Sequence, residues 1–207
     1  MLKPITFLSI FMIAIFTVSC KNDTQELKNV DADKATTQIA PTTPVKRAAK
    51  KDLTPEDIAE LKSVMVRVMT EAKLKKFASY LVTAELTDPL TGSGPFTVFG
   101  PTNAALESMT AEKTLFYSNP ENRAKLVEML KSYIVTEKMD KETLLQAIDI
   151  SGKAKLKTLA GTTLTATKSG EDIVISDGKS SKATVISGGV EASNGVVYIV
   201  DGLLSAN

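Results

Sequence analysis

The chain has 207 residues, room for one domain with appendages, and its 25 Lys and Arg nearly balance 24 Asp and Glu. That neutrality, with 5% aromatic residues and no Trp, leaves neither an electrostatic nor a stacking case for nucleic acid as a partner. No histidine is present and only one cysteine, which removes the usual neutral-pH acid/base, the Ser-His-Asp arrangement, His-ligated metals and any intrachain disulfide. Catalysis would be left to carboxylates, Lys, Tyr or bare Ser, so the expectation is a protein that is not an enzyme and carries no cofactor and no metal.

Residues 1–19 read as a secretory leader: a short basic start, an apolar run from Ile5 to Val18, then small residues. The run is too short for a comfortable membrane span. Thr17-Val18-Ser19-Cys20 resembles the bacterial lipobox, with Thr17 where Leu is usual. That resemblance implies that Cys20 becomes the mature N-terminus and carries acyl chains such as palmitate, several of which anchor firmly where one is marginal. The implied location is the bacterial cell envelope, at the outer membrane, on its periplasmic or surface face. Lys21-Asn22-Asp23 loosely resembles the charged signals that send some bacterial lipoproteins to the outer face.

Residues 20–53 read as a disordered tether, rich in Lys, Asp, Thr, Gln and Pro and without apolar periodicity. Lys46, Arg47, Lys50 and Lys51 form a local basic cluster near its end. Such a run can touch anionic head groups or acidic glycans, although charge runs are ordinarily just solvated.

The foldable part is residues 54–207. Thr54-Pro55-Glu56-Asp57 has the cap, proline and acids of a helix start, and Ile58, Leu61, Met65 and Val68 repeat at helical spacing. Leu74, Phe77, Ala78 and Leu81 form a second stripe that ends before Asp88-Pro89. Phe96, Val98 and Phe99 suit a half-buried strand, which Gly100-Pro101 is expected to stop. Thr102 or Asn103 then caps a helix over 104–109. Asn119-Pro120-Glu121 caps another, with Leu126, Met129, Leu130 and Tyr133 as its stripe, and Asp140 starts a short helix with Leu144, Leu145 and Ile148.

From there the period changes to two. Leu156–Leu159, Thr163–Thr167, Ile173–Ser176 and Ala183–Ile186 alternate between turns at Gly161, Ser169-Gly170 and Asp177-Gly178. Asn194-Gly195 reads as one more turn, needing positive φ, before the apolar run Val196–Val200. Helices first and strands after predict an α+β fold. The Phe-rich and Val-rich strands both look central despite their separation, so the last strand is expected to close a single domain. Gly178-Lys179-Ser180 is no phosphate loop, because Ile173 stands where that loop needs glycine. Glu171-Asp172 fits a hairpin turn better than a paired-carboxylate site, since strand neighbours point to opposite faces.

Phe96–Leu106 (FTVFGPTNAAL) and Ser193–Leu204 (SNGVVYIVDGLL) resemble the two signatures of fasciclin-type domains. Asn122-Arg123, Lys131–Val135 and Leu156–Gly161 follow the same family's order, and the resemblance spans roughly residues 59–205. It implies a wedge-shaped β-sandwich with helices packed along one edge, and an adhesion or matrix-binding role. The family's receptor-linked Tyr-His pair maps to Tyr133-Ile134, its Asp-Ile pair maps near Gly189-Val190, and a signature histidine is Tyr198 here. Those contacts are therefore not carried over. Tyr133, Tyr198 and Asn194 remain candidate binding residues, with core packing or turn geometry as the plainer reading of each. The expected whole is a lipid-anchored envelope module for adhesion or interaction, with a glycan, matrix or protein partner. The alternative is an envelope protein that binds a small ligand.

Overall fold

The computed structural model describes residues 52–204. The expected leader, Cys20 and nearly all of the tether fall outside the described residues, as do 205–207. The first helices are α1 (Pro55–Leu61), α2 (Val64–Thr70), α3 (Lys75–Thr83) and α4 (Thr87–Thr91). After strand β1 (Phe96–Pro101) come α5 (Asn103–Glu107), α6 (Ala111–Ser118), α7 (Arg123–Lys131), the two-residue β2 (Ile134–Val135) and α8 (Lys141–Ser151). Five strands finish the chain: β3 (Ala154–Lys157), β4 (Thr163–Ser169), β5 (Asp172–Ser176), β6 (Lys182–Ala192) and β7 (Gly195–Val200). The expected α+β class is what the molecule shows.

The caps expected at residues 54, 102 or 103, and 140 form, whereas Asn119 caps only the short 3-10 turn Pro120–Asn122 and α7 follows without a side-chain cap. Thr54 and Asp57 close a reciprocal capping box on α1. Thr102 rather than Asn103 caps α5, its hydroxyl accepting from the Ala105 N–H at 3.1 Å. Asp140 accepts from Thr143 N–H at 2.8 Å to start α8. Asn103 is left free to cross to the start of α3 and the turn before it, accepting from Lys76 N–H and donating to the Ala72 carbonyl.

The strands make one seven-stranded sheet in the order β2-β1-β7-β6-β5-β4-β3. Only β1 and β7 run parallel, in register from Phe96 opposite Gly195 to Pro101 opposite Val200. β6 belongs to both halves of the sheet. Lys182–Thr184 pair with β5, whereas Val185–Ala192 pair with β7 through two register shifts. Such irregularities bend a strand. The sheet curls until a bridge between Val135 and Thr158 ties its two ends together, reinforced by Leu159 N–H donating to the Ile134 carbonyl at 2.6 Å. The sandwich implied by the family resemblance is thus one continuous, nearly closed sheet.

The core fills that curl and its helical cover. All six residues of β7 are buried, and five of six in β1. A strand covered on both faces reads as an unbroken apolar run rather than an alternation, which is the pattern of Val196–Val200. α2 packs against β1, β6 and β7, while α8 covers β3 and β4. The second expected stripe is wholly inside: Leu74, Phe77, Ala78 and Leu81 are all buried.

Two further expectations are corrected. The stripe Ile58-Leu61-Met65-Val68 is not one helix face: Ser63 caps a fresh start, so α1 and α2 are separate. Met65 and Val68 are buried, but Ile58 and Leu61 are 41% and 56% exposed and α1 buries nothing. Gly100-Pro101 does not end the strand. In a parallel ladder alternate residues bond to one neighbour; Phe96 and Thr102 N–H donate to the β7 side, whereas Phe99 N–H donates to Tyr133 on the β2 side. Pro101, two residues beyond Phe99, lacks its N–H on the side that short β2 has already left. The sequence also gave no sign of α4, α6 or β2, each too short or too weakly patterned to carry a period.

Phe99 is fully buried in the strand pair that closes the sheet. Phe99→Ala is expected to lower unfolding stability by about 3–5 kcal/mol, measured as a shift of the urea midpoint at unchanged slope.

Candidate functional site

Ser193 and Asn194 form the turn between β6 and β7, and they hold the ends of three helices. Ser193 donates from Oγ to the Ala59 carbonyl and from its N–H to the Lys62 carbonyl, both at the C-terminus of α1. Asn194 Oδ1 accepts from Val64 N–H at 2.8 Å, one of the donors that the first turn of α2 leaves unpaired. Asn194 Nδ2 donates to the carbonyls of Leu90 and Gly92, at 2.9 and 2.7 Å, at the C-terminus of α4. One amide side chain therefore caps two helices at once. The neighbouring glycine serves close approach rather than the expected positive φ: Gly195 is not left-handed, and an added Cβ would collide with the Phe96 backbone.

Tyr133 and Tyr198 are each 1% exposed. The Tyr133 hydroxyl donates to the Leu204 carbonyl at 3.1 Å and accepts from Leu204 N–H at 2.9 Å, pinning the final described residue to the core. Its ring meets Phe77 edge-on with centroids 5.8 Å apart. The Tyr198 hydroxyl donates to the Met139 carbonyl at 2.9 Å, and its ring stacks on Phe99 at 5.3 Å. Burial drives the ionisation of both phenols well above their ordinary value of 10.0, opposed at Tyr133 by its hydrogen bond with Leu204 and reinforced at Tyr198 by the Asp140 charge. Gly188 lies directly opposite Tyr198, and a side chain there would strike the Tyr198 backbone. The structure does not bring Tyr133, Tyr198 and Asn194 together into one open site. The two tyrosines are interior struts, and Asn194 is a half-buried clip.

A surface cleft of about 480 Å³ runs beside that clip. α1 contributes Glu56, Ala59 and Glu60 to one wall, and the segment from Thr91 to Pro95 lines it as well. Lys138 also lines it and is paired with Glu191 at 3.3 Å. Of these residues the sequence reading singled out only Asn194 for binding. Thr91-Gly92-Ser93-Gly94-Pro95 offered the one usable signal, a small-residue run of the kind that lets a backbone form a wall. Among the described residues no group of three or more His, Cys, Asp or Glu is placed to hold a metal ion.

A family model for the fasciclin domain matches residues 72–206, well over half of the chain. The chain belongs to the fasciclin domain family. Protein sll1483 of Synechocystis is 40% identical over 123 residues, covering 57% of this chain and 59% of its own length. Stabilin-2 of Mus musculus is 26% identical over 142 residues, or 67% of this chain and 5% of that protein. Stabilin-1 of Homo sapiens is 29% identical over 135 residues, 65% of this chain and again 5% of the relative. A solved FAS1 domain pair from the insect cell adhesion molecule fasciclin I shares the fold with a TM-score of 0.55 at 23% identity, covering 65% of this chain and 45% of that one. The chain thus spans less than two thirds of each of these relatives. The fasciclin match begins at residue 72, later than the resemblance read from sequence, and leaves α1 and α2 ahead of it.

Two predictions follow from the buried polar groups of this fasciclin domain. Asn194→Ala removes three hydrogen bonds and should cost about 3 kcal/mol in urea unfolding; Asn194→Asp keeps the Val64 acceptor but turns a carboxylate toward two carbonyls, so it should recover little of that loss. Native Tyr133 and Tyr198 resist ionisation, while the unfolded phenols ionise at about 10. Their contribution is therefore complete below that pH and is lost as pH rises above it. Tyrosinate absorbance from this pair should appear only together with loss of the circular dichroism signal.

Proposed function

We propose that this fasciclin domain is a non-catalytic adhesion or interaction module, fixed to the cell envelope by lipid on Cys20 and displayed at the end of the 20–53 tether. The observation that carries the reading is the engagement of its best chemical groups by the fold itself. Tyr133 and Tyr198 hold backbone, and Asn194 holds helix ends. What is offered outward is a surface, and recognition by a surface is the work of a binding module. The insect fasciclin I, which shares the fold, is a cell adhesion molecule. Anchoring many copies raises effective concentration, so each contact can be weak. The partner is a glycan, matrix component or protein of the envelope or of an opposing cell.

The cleft beside Asn194 favours a second reading, binding of a small ligand. Its 480 Å³ falls in the usual range of roughly 300–1,000 Å³. Its lining of Glu, Ser, Thr and Gly is more polar than such sites usually are.

Adhesion is tested by coating beads with the unlipidated protein and by deleting it from its cells. Attachment to at least one envelope or matrix surface should rise with the first and fall with the second; no change on any surface tried rejects the role. The anchor is tested separately, by the mass of the membrane-bound form. Acyl chains on an N-terminal Cys20 are expected, with Cys20→Ser releasing the protein, and an unmodified Cys20 or cleavage elsewhere removes the anchor from the account.

A further inference from the structure

Burial changes abruptly between α1 and α2. Every residue of α1 except the half-buried Asp57 is exposed, whereas Ser63, Val64 and Met65 are each 0% exposed. Among the described residues, the side chains of α1 make no ion pair and no hydrogen bond outside the capping box with Thr54. The hydrogen bonds that tie the helix to the rest of the domain come from Ser193, whose hydroxyl and N–H donate to the Ala59 and Lys62 carbonyls. Ser193 is itself exposed, so both groups pass to water when those bonds break, and no buried polar atom is orphaned. A helix of seven residues is too short to persist in water without packing.

The next helix does not need α1. Ser63 accepts from Val66 N–H and Asn194 accepts from Val64 N–H, so the first turn of α2 has caps of its own. Val64, Met65 and Val68 then bury themselves in the core. Between the two helices Lys62 leaves helical geometry and Ser63 is extended, an element end of the kind that absorbs a change of direction. The cleft is divided in the same way. Glu56, Ala59 and Glu60 of α1 line one part, while Thr91–Pro95 and Ala192–Gly195 line another and lead directly into β1 and β7. One wall is loosely held and the other belongs to the core.

We propose that α1 is a hinged wall of the cleft, opening about Lys62 and Ser63 while the chain from α2 onward stays folded. Closed, it completes the cleft of about 480 Å³; open, it leaves a groove bounded by Thr91–Pro95 and the β6–β7 turn. A ligand that touches both walls draws the equilibrium toward the closed form, because only that form offers both. This use rests on the small-ligand reading of the cleft; the motion does not.

Native-state hydrogen exchange of the unlipidated protein, with no ligand added, tests the motion. Amides of Ile58 to Lys62 are expected to exchange about a hundred-fold or more faster than those of β7, at a rate that low urea hardly changes. Ser193→Ala, at an exposed position, should raise the α1 rate about five-fold. Leu61→Pro removes a helical N–H at an exposed site that does not line the cleft, and should abolish the protection of α1. In that variant the amides of α2 and β7 should keep their wild-type protection. Exchange of α1 at the β7 rate, or loss of β7 protection in Leu61→Pro, overturns the inference. Because nothing is bound, a cleft that takes no small molecule leaves the hinge standing, and a fixed α1 leaves the cleft to its own binding test.

Discussion

The parallel pairing of β1 with β7 is the contact on which the rest of the domain depends. It joins residues almost a hundred positions apart in the chain, so forming it closes a long loop, an entropic cost that the burial of both strands must offset. Both strands are buried on both faces, and their backbone groups have no recourse to water. Every neighbour is placed by this pair: β2 extends it on one side, β6 on the other, and α2 lies across it. Glycines permit the approach at one end, since Gly94 and Gly195 stand where any Cβ would strike the opposing backbone.

The same pair explains why the polar residues of the second signature are structural. Ser193 and Asn194 stand at the start of β7, where the ends of α1, α2 and α4 converge and present carbonyls and an N–H to them. Tyr198 lies further along the strand, opposite Gly188, with its hydroxyl reaching Met139. Tyr198 and Gly189 are thus neighbours in space. A large ring on β7 is matched by absent side chains on β6.

Much of this was legible in the sequence, for identifiable reasons. Caps at Thr54, Thr102 and Asp140 are local, needing only a few residues to specify them. The stripe from Leu74 to Leu81 and the run Val196–Val200 carry their burial in their own periodicity. What stayed hidden was decided by partners distant in the chain. Ile58 and Leu61 have helical spacing, but spacing cannot say whether a face meets the core. Pro101 was misjudged because the side on which a strand is paired is a property of the sheet. Asn194-Gly195 has the composition of a turn requiring left-handed backbone, yet its reason is proximity to Phe96. For the site, the sequence named Asn194 and the two tyrosines but could not tell an outward hydroxyl from one bonded to Leu204 or Met139.

The attachment of α1 has a mechanical consequence. Tension on the domain from its N-terminal side enters at Thr54 and travels along α1 to the bonds that Ser193 makes with Ala59 and Lys62. With no buried side chain to resist, that helix can peel away and lengthen while the interior stays shut. The pull next meets Asn194, which links α2 and α4 directly to the start of β7. The fold thus has a yielding first stage in series with a stiff second one, so a sharp tug is absorbed before it reaches the strands that keep the sheet closed.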